Sequence, residues 1–443
     1  MSLTISVIGT GYLGVVHAAC MADLGHTVIA VDSDAAKVES LSRGVAPMWE
    51  PGLDELLAKV LPTGRLRFTT QYSELRGAEV HFICVGTPQS KGQDAADTSF
   101  VFAAAASLAP HLGSDSLVVG KSTVPVGTAA HLRDLLQEDA PEGMQVRLAW
   151  NPEFLREGFA IQDTVAPNRF VYGVDGPTAD ADVAVLDRVY AAPLATGVPR
   201  LVTDFPTAEL VKVAANAFLA TKISFINAMA EVCEFAGADV VLLADALGHD
   251  ERIGRKFLNA GVGFGGGCLP KDIRAFMARA KELGADEALE FLREIDAING
   301  RRRSRMVDLA REECSGDLTG RRVAVLGAAF KPDSDDIRDS PALDIALAAH
   351  KEGALVTVYD PKAMEAAQRA FPDLGYADSI EEACSNADVV LHLTEWKQFR
   401  QIDPAKLGTI VANPAVIDGR NTLDPALWRT AGWTYRALGR PTP

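Results

Sequence analysis

The strongest constraint on the fold is an alternation of short β-branched runs with helical segments. The runs ISVIG (5–9) and TVIAVD (27–32) enclose a segment of helical periodicity that ends at Gly25. Further strand candidates lie at 79–86, 116–123, 146–152 and 169–174, and alanine-rich helical stretches lie at 99–109 and 127–139. Such alternation predicts a parallel, doubly wound sheet with helices on both faces. We therefore expect a first α/β domain over residues 1–203.

The pattern changes twice after this domain. Residues 208–237 form one helical pattern without Pro or Gly until Gly237, and more helix is predicted at 239–247 and 273–299. At residue 321 a second strand–turn–helix–strand begins, with later strands expected at 387–394 and 408–415. The predicted fold class is α/β, with two Rossmann-like doubly wound parallel-sheet domains, 1–203 and 311–443. A central helical domain with a long spine helix, 204–310, joins them, and a helix of this length often forms a subunit interface.

Composition narrows the functional classes. The chain has 443 residues, 48% hydrophobic and 23% charged, which is typical of a soluble protein of two or three domains. A net charge of −16 argues against broad nucleic-acid binding, and RRRSR at 301–305 fits a solvated helix face. The six cysteines have no paired spacing, so we expect neither disulfides nor a metal site. No apolar run seems long enough for a membrane span and the N-terminus enters a strand directly, so we expect a cytoplasmic protein without a membrane partner.

The sequence GTGYLG at 9–14 follows the first strand and opens the first helix, as a dinucleotide-binding turn does. Gly9 suits the tight turn, Gly11 lets the backbone approach a pyrophosphate, and Gly14 allows close helix packing. Asp32 ends the second strand, where a carboxylate accepts bonds from a ribose 2′-hydroxyl and repels a 2′-phosphate. This favours NAD over NADP. The corresponding turn of the second Rossmann-like domain reads GAAF, so the two domains are expected to bind different nucleotides.

Polar residues follow three other strand ends, which face the ligand crevice in a doubly wound sheet. Thr87 and Thr123 lie in VGTP and KSTVPVGT, where they could contact a cofactor or merely cap a turn. Glu153 and Glu157 lie in NPEFLREG and could act as bases or cap a helix. His17 and His26 fit packing or surface positions better than catalytic ones.

Charged residues on the central helix and in the C-terminal domain also leave two interpretations open. Lys212 and Asn216 are four residues apart on one helix face, so they point into a site or into solvent. A lysine in a closed site could assist proton transfer or bind an oxyanion. Lys331 and Arg338 flank an acidic run after a strand, either as a solvated loop or as cations for a diphosphate and a cofactor.

The segment GVGFGGGCLPKD (261–272) places Cys268 after three glycines. Such a bare backbone lets a ligand approach closely, and the thiol would then be within its reach. A flexible loop with a packed cysteine explains the same letters.

Taken together, these motifs resemble the UDP-glucose/GDP-mannose dehydrogenase family over nearly the whole chain. They are VIGTGYLG, VDSD, FICVGTP, KSTVPVGT, NPEFLREG, AELVKVAANAFLATKISFIN, RIGRKFLNAGVGFGGGCLPKD and AFKPDSDDIRDSPA, in that order. The resemblance implies that the C6 alcohol of a nucleotide sugar is oxidised twice, to a carboxylate, with two NAD per sugar. It also implies that Cys268 holds the aldehyde as a thiohemiacetal and then a thioester, which water hydrolyses.

The remaining roles are likewise implied by the resemblance. Lys212 and Asn216 would stabilise the developing oxyanion, Asp272 would act with an ordered water, Glu153 would serve thioester hydrolysis, and Thr123 would border the reacting centre. The cofactor-binding set is Gly9, Gly11, Tyr12, Leu13, Gly14, Asp32, Lys37, Thr87, Thr123, Glu157, Lys271 and Arg338. The sugar-nucleotide set is Glu153, Phe154, Leu155, Arg156, Glu157, Lys212, Asn216, Phe257, Leu258, Asn259, Ala260, Gly261, Gly265 and Lys331. A homodimer built on the long helix is also implied.

Two positions depart from the commonest form of the cysteine loop, which has serine before the cysteine and an aromatic residue after it. Here these positions are Gly267 and Leu269. The motifs favour UDP-glucose as the substrate, with GDP-mannose and UDP-N-acetylhexosamines as alternatives. Two other functions are a non-catalytic nucleotide-sugar sensor and a two-electron alcohol dehydrogenase or epimerase. The intact set of Cys268, Lys212, Asn216 and Asp272 argues against the sensor, and the last two would not need the thiol.

Overall fold

The N-terminal sheet has the predicted α/β character. The computed structural model describes residues 2–113 and 115–441, and the sheet order is β3-β2-β1-β4-β5-β6-β7-β8. The strands are β1 Thr4–Ile8, β2 Thr27–Val31, β3 Leu66–Thr69, β4 Val80–Ile83, β5 Leu117–Gly120, β6 Arg147–Trp150, β7 Phe170–Val174 and β8 Arg200–Thr203. The first six are parallel, β7 runs antiparallel to β6, and β8 is parallel to β7.

Helices cover both faces of this sheet. They are α1 Tyr12–Asp23, α2 Ala35–Ser42, α3 Leu53–Val60, α4 Ser99–Leu108, α5 Thr128–Asp139, α6 Ala160–Val165, α7 Ala179–Val189 and α8 Ala191–Ala195. One core cluster includes α1 and α3, with Met21 and Leu57, and the other includes α4 and α5, with Leu108 and Leu132. The interior strands are therefore buried on both sides, as parallel strands require.

The central segment is helical, as predicted. It contains α9 Phe205–Ala236, α10 Val240–Gly248, α11 Leu269–Glu282 and α12 Phe291–Glu313. The single helix expected over 273–299 is wrong, because α11 ends at Glu282 and α12 begins at Phe291. Gly284 adopts a φ of +76°, a left-handed conformation that commonly follows a helix end.

The C-terminal sheet is parallel, in the order β11-β10-β9-β12-β13-β14. Its strands are β9 Arg322–Leu326, β10 Leu355–Tyr359, β11 Gly375–Tyr376, β12 Val389–His392, β13 Ala415–Asp418 and β14 Thr434–Ala437. Its helices are α13 Pro341–Lys351, α14 Met364–Ala370, α15 Ile380–Cys384, α16 Lys397–Arg400, α17 Pro404–Leu407 and α18 Pro425–Thr430. The predicted fold class is thus confirmed.

The strand expected at 408–415 is placed wrongly. Asp403 caps α17 by accepting bonds from Ala405 N and Lys406 N, and the apolar run after this helix forms turns. The strand begins only at Ala415, and all four of its residues are buried. An interior strand needs burial on both faces, which the earlier run does not have.

The chain divides into two compact units. The first contains residues up to Ala215 with Arg274–Leu283, and the second contains Asn216–Ile273 with the residues from Gly284 onward. Helix α9 is long and apolar enough to cross a membrane by length and composition alone, contrary to the expectation from uninterrupted apolar runs. Of its most apolar window 44% is buried inside the protein, and the core helix of a soluble protein passes the same test.

Candidate active site

The glycine-rich turn has the geometry that a dinucleotide requires. Gly9 has a φ of +90°, and its N–H donates to Val31 O at 2.8 Å. A Cβ at Gly14 would lie 1.8 Å from Gly9 O, so only glycine lets α1 start this close to the turn. Tyr12 and Leu13 form the first turn of α1, where free N–H groups and the helix dipole favour phosphate.

Asp32 lies at the end of β2, as predicted. Its Oδ2 accepts bonds from Thr10 N at 2.8 Å and from Lys37 Nζ at 2.9 Å, and its Oδ1 accepts one from Asp34 N at 3.0 Å. Burial by itself raises the pKa of Asp32, but the Asp34 N–H, Lys37 and Thr10 outweigh it, so the pKa is lowered. The carboxylate is therefore ionised at neutral pH and disfavours a neighbouring phosphate.

A cavity of about 490 Å³ opens beside this turn. Its walls include Gly9, Gly11, Asp32 and Lys37 from the predicted cofactor set, together with the aromatic side chains of Tyr72 and Phe100. Apolar and aromatic walls suit a nucleobase, and Asp32 suits a ribose. The residues present thus fit the adenosine half of NAD. Tyr72 and Phe100 were not predicted, because no local motif contains them.

Thr87 and Thr123 are brought together, as expected for neighbouring strand ends. The Thr87 hydroxyl donates to Thr123 O at 2.7 Å. This bond joins the turns after β4 and β5 to each other, and neither threonine caps a helix through its side chain.

Glu153 and Lys212 form an ion pair within the first unit. Lys212 Nζ lies 3.0 Å from Glu153 Oε1, and the two side chains are 6% and 13% exposed. Glu153 Oε2 also accepts a bond from Leu155 N at 2.6 Å, and Lys212 lies 5.7 Å from the centre of the Phe154 ring. Lys212 is therefore part of a site and not a solvated surface residue.

The rest of the NPEFLREG segment is fixed by long-range contacts. Arg156 pairs with Asp163 at 2.7 Å, and its side chain is exposed. Glu50, which was not predicted, accepts bonds from Gly158 N at 2.6 Å and Ala160 N at 2.7 Å, and from the Tyr12 hydroxyl. Glu50 thus ties the segment around Glu157 to the first turn of α1.

In the second unit, Asn216 and Asp272 are in direct contact. Asn216 Nδ2 donates to Asp272 Oδ2 at 2.6 Å, and the residues are 7% and 2% exposed. Lys271 Nζ donates to the other carboxylate oxygen. Three predicted residues therefore form one hydrogen-bonded group.

Cys268 directly precedes α11 and is exposed, whereas the other five cysteines are buried. Its carbonyl accepts the first bond of the helix, from Asp272 N at 3.0 Å. The packed-cysteine explanation is therefore wrong. A helix N-terminus favours negative charge, which suits a thiolate nucleophile.

The loop before Cys268 is held by buried amides that the sequence did not single out. Asn227 Oδ1 accepts from Gly261 N, and Asn299 Oδ1 accepts from Phe264 N, each at 2.8 Å. Asn299 Nδ2 returns a bond to Phe264 O at 2.9 Å. Phe257 has a φ of +66°, a conformation that is uncommon for a bulky residue and often marks a functional loop. Leu258 and Ala260 are buried, and Asn259 is exposed.

The C-terminal sheet also supports this loop. Arg420 follows β13 and donates to Gly263 O, to Phe330 O, each at 3.0 Å, and to Leu393 O at 2.7 Å. Asn421 Nδ2 donates to Ala260 O at 3.2 Å. Neither residue was predicted, because the signal is a tertiary contact and not a motif.

The two predicted cations of the C-terminal domain have defined neighbours. Lys331 lies 5.4 Å from the centre of the Phe330 ring, and Arg338 binds Asp336 at 2.7 Å. A Cβ at Gly267 would lie within 2.4 Å of the Arg338 guanidinium, so glycine here leaves the space that Arg338 occupies. Across residues 2–113 and 115–441, no group of three or more His, Cys, Asp or Glu side chains is arranged for a metal ion.

Three family models match successive parts of the chain. The NAD-binding domain of the UDP-glucose/GDP-mannose dehydrogenase family matches residues 3–193, its central domain 206–301 and its UDP-binding domain 324–425. These stretches follow the N-terminal sheet, the central helices and the C-terminal sheet.

Individual relatives and solved structures agree with the models. The chain is 41% identical over 440 residues to a UDP-glucose 6-dehydrogenase of Rhizobium meliloti, which covers 99% of this chain and 100% of that protein. A UDP-glucose dehydrogenase structure from Pyrobaculum islandicum superposes with a TM-score of 0.90 at 36% identity, covering 99% and 98% of the chains. A UDP-D-ManNAc dehydrogenase structure from Pyrococcus horikoshii gives 0.86 at 27% identity, covering both chains fully.

Proposed function

The chain belongs to the UDP-glucose/GDP-mannose dehydrogenase family, and on this basis we propose that it is a UDP-glucose 6-dehydrogenase. It would convert UDP-glucose, two NAD and water to UDP-glucuronate and two NADH. The observation that carries the proposal is the exposed Cys268 thiol directly before α11, in the segment that also contains the buried Asp272. A two-electron dehydrogenase or epimerase would not need a nucleophile at that position.

The proposed reaction balances in three steps. The first oxidation removes a hydride and a proton from the C6 alcohol and gives an aldehyde. The Cys268 sulfur adds to this aldehyde, and loss of a second hydride and a proton gives a thioester. Water then cleaves the C–S bond, which releases the carboxylate and restores the thiol. NAD, when bound, accepts one hydride at each oxidation.

The polar groups are assigned separate tasks in this proposal. Lys212 and Asn216 stabilise negative charge on the C6 oxygen, and Asp272 accepts or returns its proton through water. Glu153, paired with Lys212, promotes the attack of water on the thioester. Thr123 borders the reacting carbon. These roles rest on the family resemblance and are supported by the buried contacts Asn216–Asp272 and Glu153–Lys212.

The other predicted contacts remain part of the proposal. NAD is assigned to the 9–14 loop, Asp32, Lys37 and the further cofactor residues named from the sequence. The sugar nucleotide is assigned to 153–157, 257–261, Gly265 and Lys331. The domain boundaries at 203 and 310 and the cytoplasmic location also remain predictions.

The substrate can be tested with purified protein, NAD and a panel of UDP-glucose, GDP-mannose and UDP-N-acetylglucosamine. We expect the specificity constant kcat/KM for UDP-glucose to exceed the others by about 100-fold or more, because a site that hydrogen-bonds its substrate rejects analogues strongly. Equal or greater turnover of another sugar would move the proposal to that sugar.

We also propose a homodimer that uses the exposed side of α9. Phe218, Phe225 and Val232 recur every seven residues and are 65%, 46% and 56% exposed, and Phe235 is 94% exposed. Apolar side chains on one helix face at this exposure are typical of a subunit contact. Light scattering should give twice the mass of the chain, and Phe225→Glu should reduce it to that of a monomer. A wild-type monomer at working concentration would contradict the proposal.

A further inference from the structure

Lys121 is a buried cation that the proposed mechanism leaves unused. It follows β5, is 7% exposed, and donates from Nζ to Asn151 Oδ1 at 3.1 Å and to the Tyr190 hydroxyl at 3.4 Å. Both hydrogen-bond partners are neutral. Burial of an ammonium is costly without a compensating charge. Burial also lowers the pKa of Lys121 to about 8, so the cation is still the main form at neutral pH.

The charged and titratable groups that face Lys121 identify its compensating charge. Glu153 interacts favourably with the ammonium, as does Cys84 in its ionised form, while Lys212 and protonated His17 oppose it. Lys121, His17 and Glu153 line the same small cavity, whose volume is about 40 Å³. Glu153 is therefore the carboxylate toward which the charge of Lys121 acts.

A second link between the two residues runs through the backbone. Asn151 Oδ1 accepts from both Lys121 and the Tyr190 hydroxyl, the latter at 2.7 Å, and its Nδ2 donates to Val171 O at 2.9 Å. Asn151 is thus fixed on three sides, and Glu153 follows two residues later in a segment without helix or strand. Lys121 therefore acts on Glu153 through its charge and through the anchoring of the segment.

From this arrangement we propose that Lys121 is a positioning residue for Glu153, whose carboxylate form it stabilises for thioester hydrolysis. The proposal rests on the function assigned above to Cys268 and Glu153. Lys121 does not contact the reacting atoms in this account. Its effect should therefore appear in the hydrolysis step and not in hydride transfer.

The test is a single-turnover experiment in which NADH formation and acid release are followed separately between pH 5 and 9. Lys121→Met removes the charge and the donor, and Tyr190→Phe is the control that removes only a hydrogen bond to Asn151. With the cation gone, the Glu153 carboxylate loses a stabilising charge, so a higher pH is needed to ionise it. We expect the acid limb of the hydrolysis rate in Lys121→Met to move up by about half a pH unit or more. NADH formation should stay within about twofold of the wild type.

The acid limb of Tyr190→Phe should coincide with that of the wild type. An unmoved limb in Lys121→Met, or an equal shift in Tyr190→Phe, would overturn the proposal. If Lys121→Met does not fold, Lys121→Gln, which keeps an N–H donor without charge, provides the same comparison. Failure of the proposed function would appear separately, as aldehyde release by the wild-type enzyme.

Discussion

Asn216 donates a 2.6 Å hydrogen bond to the Asp272 carboxylate, and both residues are almost fully buried. The bond joins the long helix α9 to the first turn of α11 within the second unit. It fixes the orientation of the carboxylate, because the other oxygen is engaged by Lys271. A carboxylate held in one orientation suits repeated proton transfer.

Asp272→Asn should therefore lower kcat by about 100-fold or more, because the amide cannot accept a proton. The substitution keeps the size of the side chain, so NAD affinity should change by less than about threefold. Asp286→Asn makes the same change at an exposed acid in the Asp286–Leu289 turn and should be neutral. Turnover of Asp272→Asn within twofold of the wild type would rule out the acid/base role.

Alkylation by iodoacetamide should distinguish Cys268 from the other thiols. Because only Cys268 is exposed among the six, the native protein should take up one label per chain, and Cys268→Ser should take up none. The same variant should bind NAD normally but form no UDP-glucuronate. Acid production at a normal rate by Cys268→Ser would remove the nucleophile assignment.

Asp32 should set the preference for NAD over NADP. Replacing it with Ala removes the ribose acceptor and the charge that repels a 2′-phosphate, so the NAD/NADP ratio of kcat/KM should fall about tenfold or more. Asp34→Ala is the matched control, since Asp34 caps α2 through Ala36 N and Lys37 N. That variant should lose about 1 kcal/mol of stability and keep the cofactor ratio. An unchanged ratio in Asp32→Ala would count against the ribose contact.

Gly265 should not tolerate a side chain. A Cβ there would lie 2.2 Å from Asp339 O, so the loop before Cys268 would have to move. Since a shift of about 1 Å at a reacting group can cost about 100-fold, Gly265→Ala should lower kcat at least tenfold. Gly300→Ala is the control, because a Cβ there meets no atom within 4 Å and Gly300 lies inside α12. It should raise the melting temperature slightly, and equal activity of both variants would contradict the account.

Much of the fold was predictable because interior strands and long helices have strong periodic patterns. The four strands not predicted, β3, β8, β11 and β14, are the four edges of the two sheets. They have two to four residues each and pair on one side only, so their pattern is short. The boundary errors at Gly284 and Ala415 arose where an apolar run was continued past a left-handed glycine or begun in a turn.

The candidate site divides in the same way. Gly9, Asp32, Cys268 and Asp272 belong to local motifs and could be selected from the sequence. Their supports could not be, because Asn227, Asn299 and Arg420 reach the cysteine loop from 34 to 157 residues away. Such contacts depend on which elements the fold brings together, and no spacing rule predicts them.

The most direct test of the central claim is the number of NADH molecules formed per UDP-glucose consumed by the purified wild-type protein. The account predicts two NADH and one UDP-glucuronate per sugar, with no free aldehyde. One NADH per sugar, with aldehyde released, would contradict the thioester mechanism and the role of Cys268.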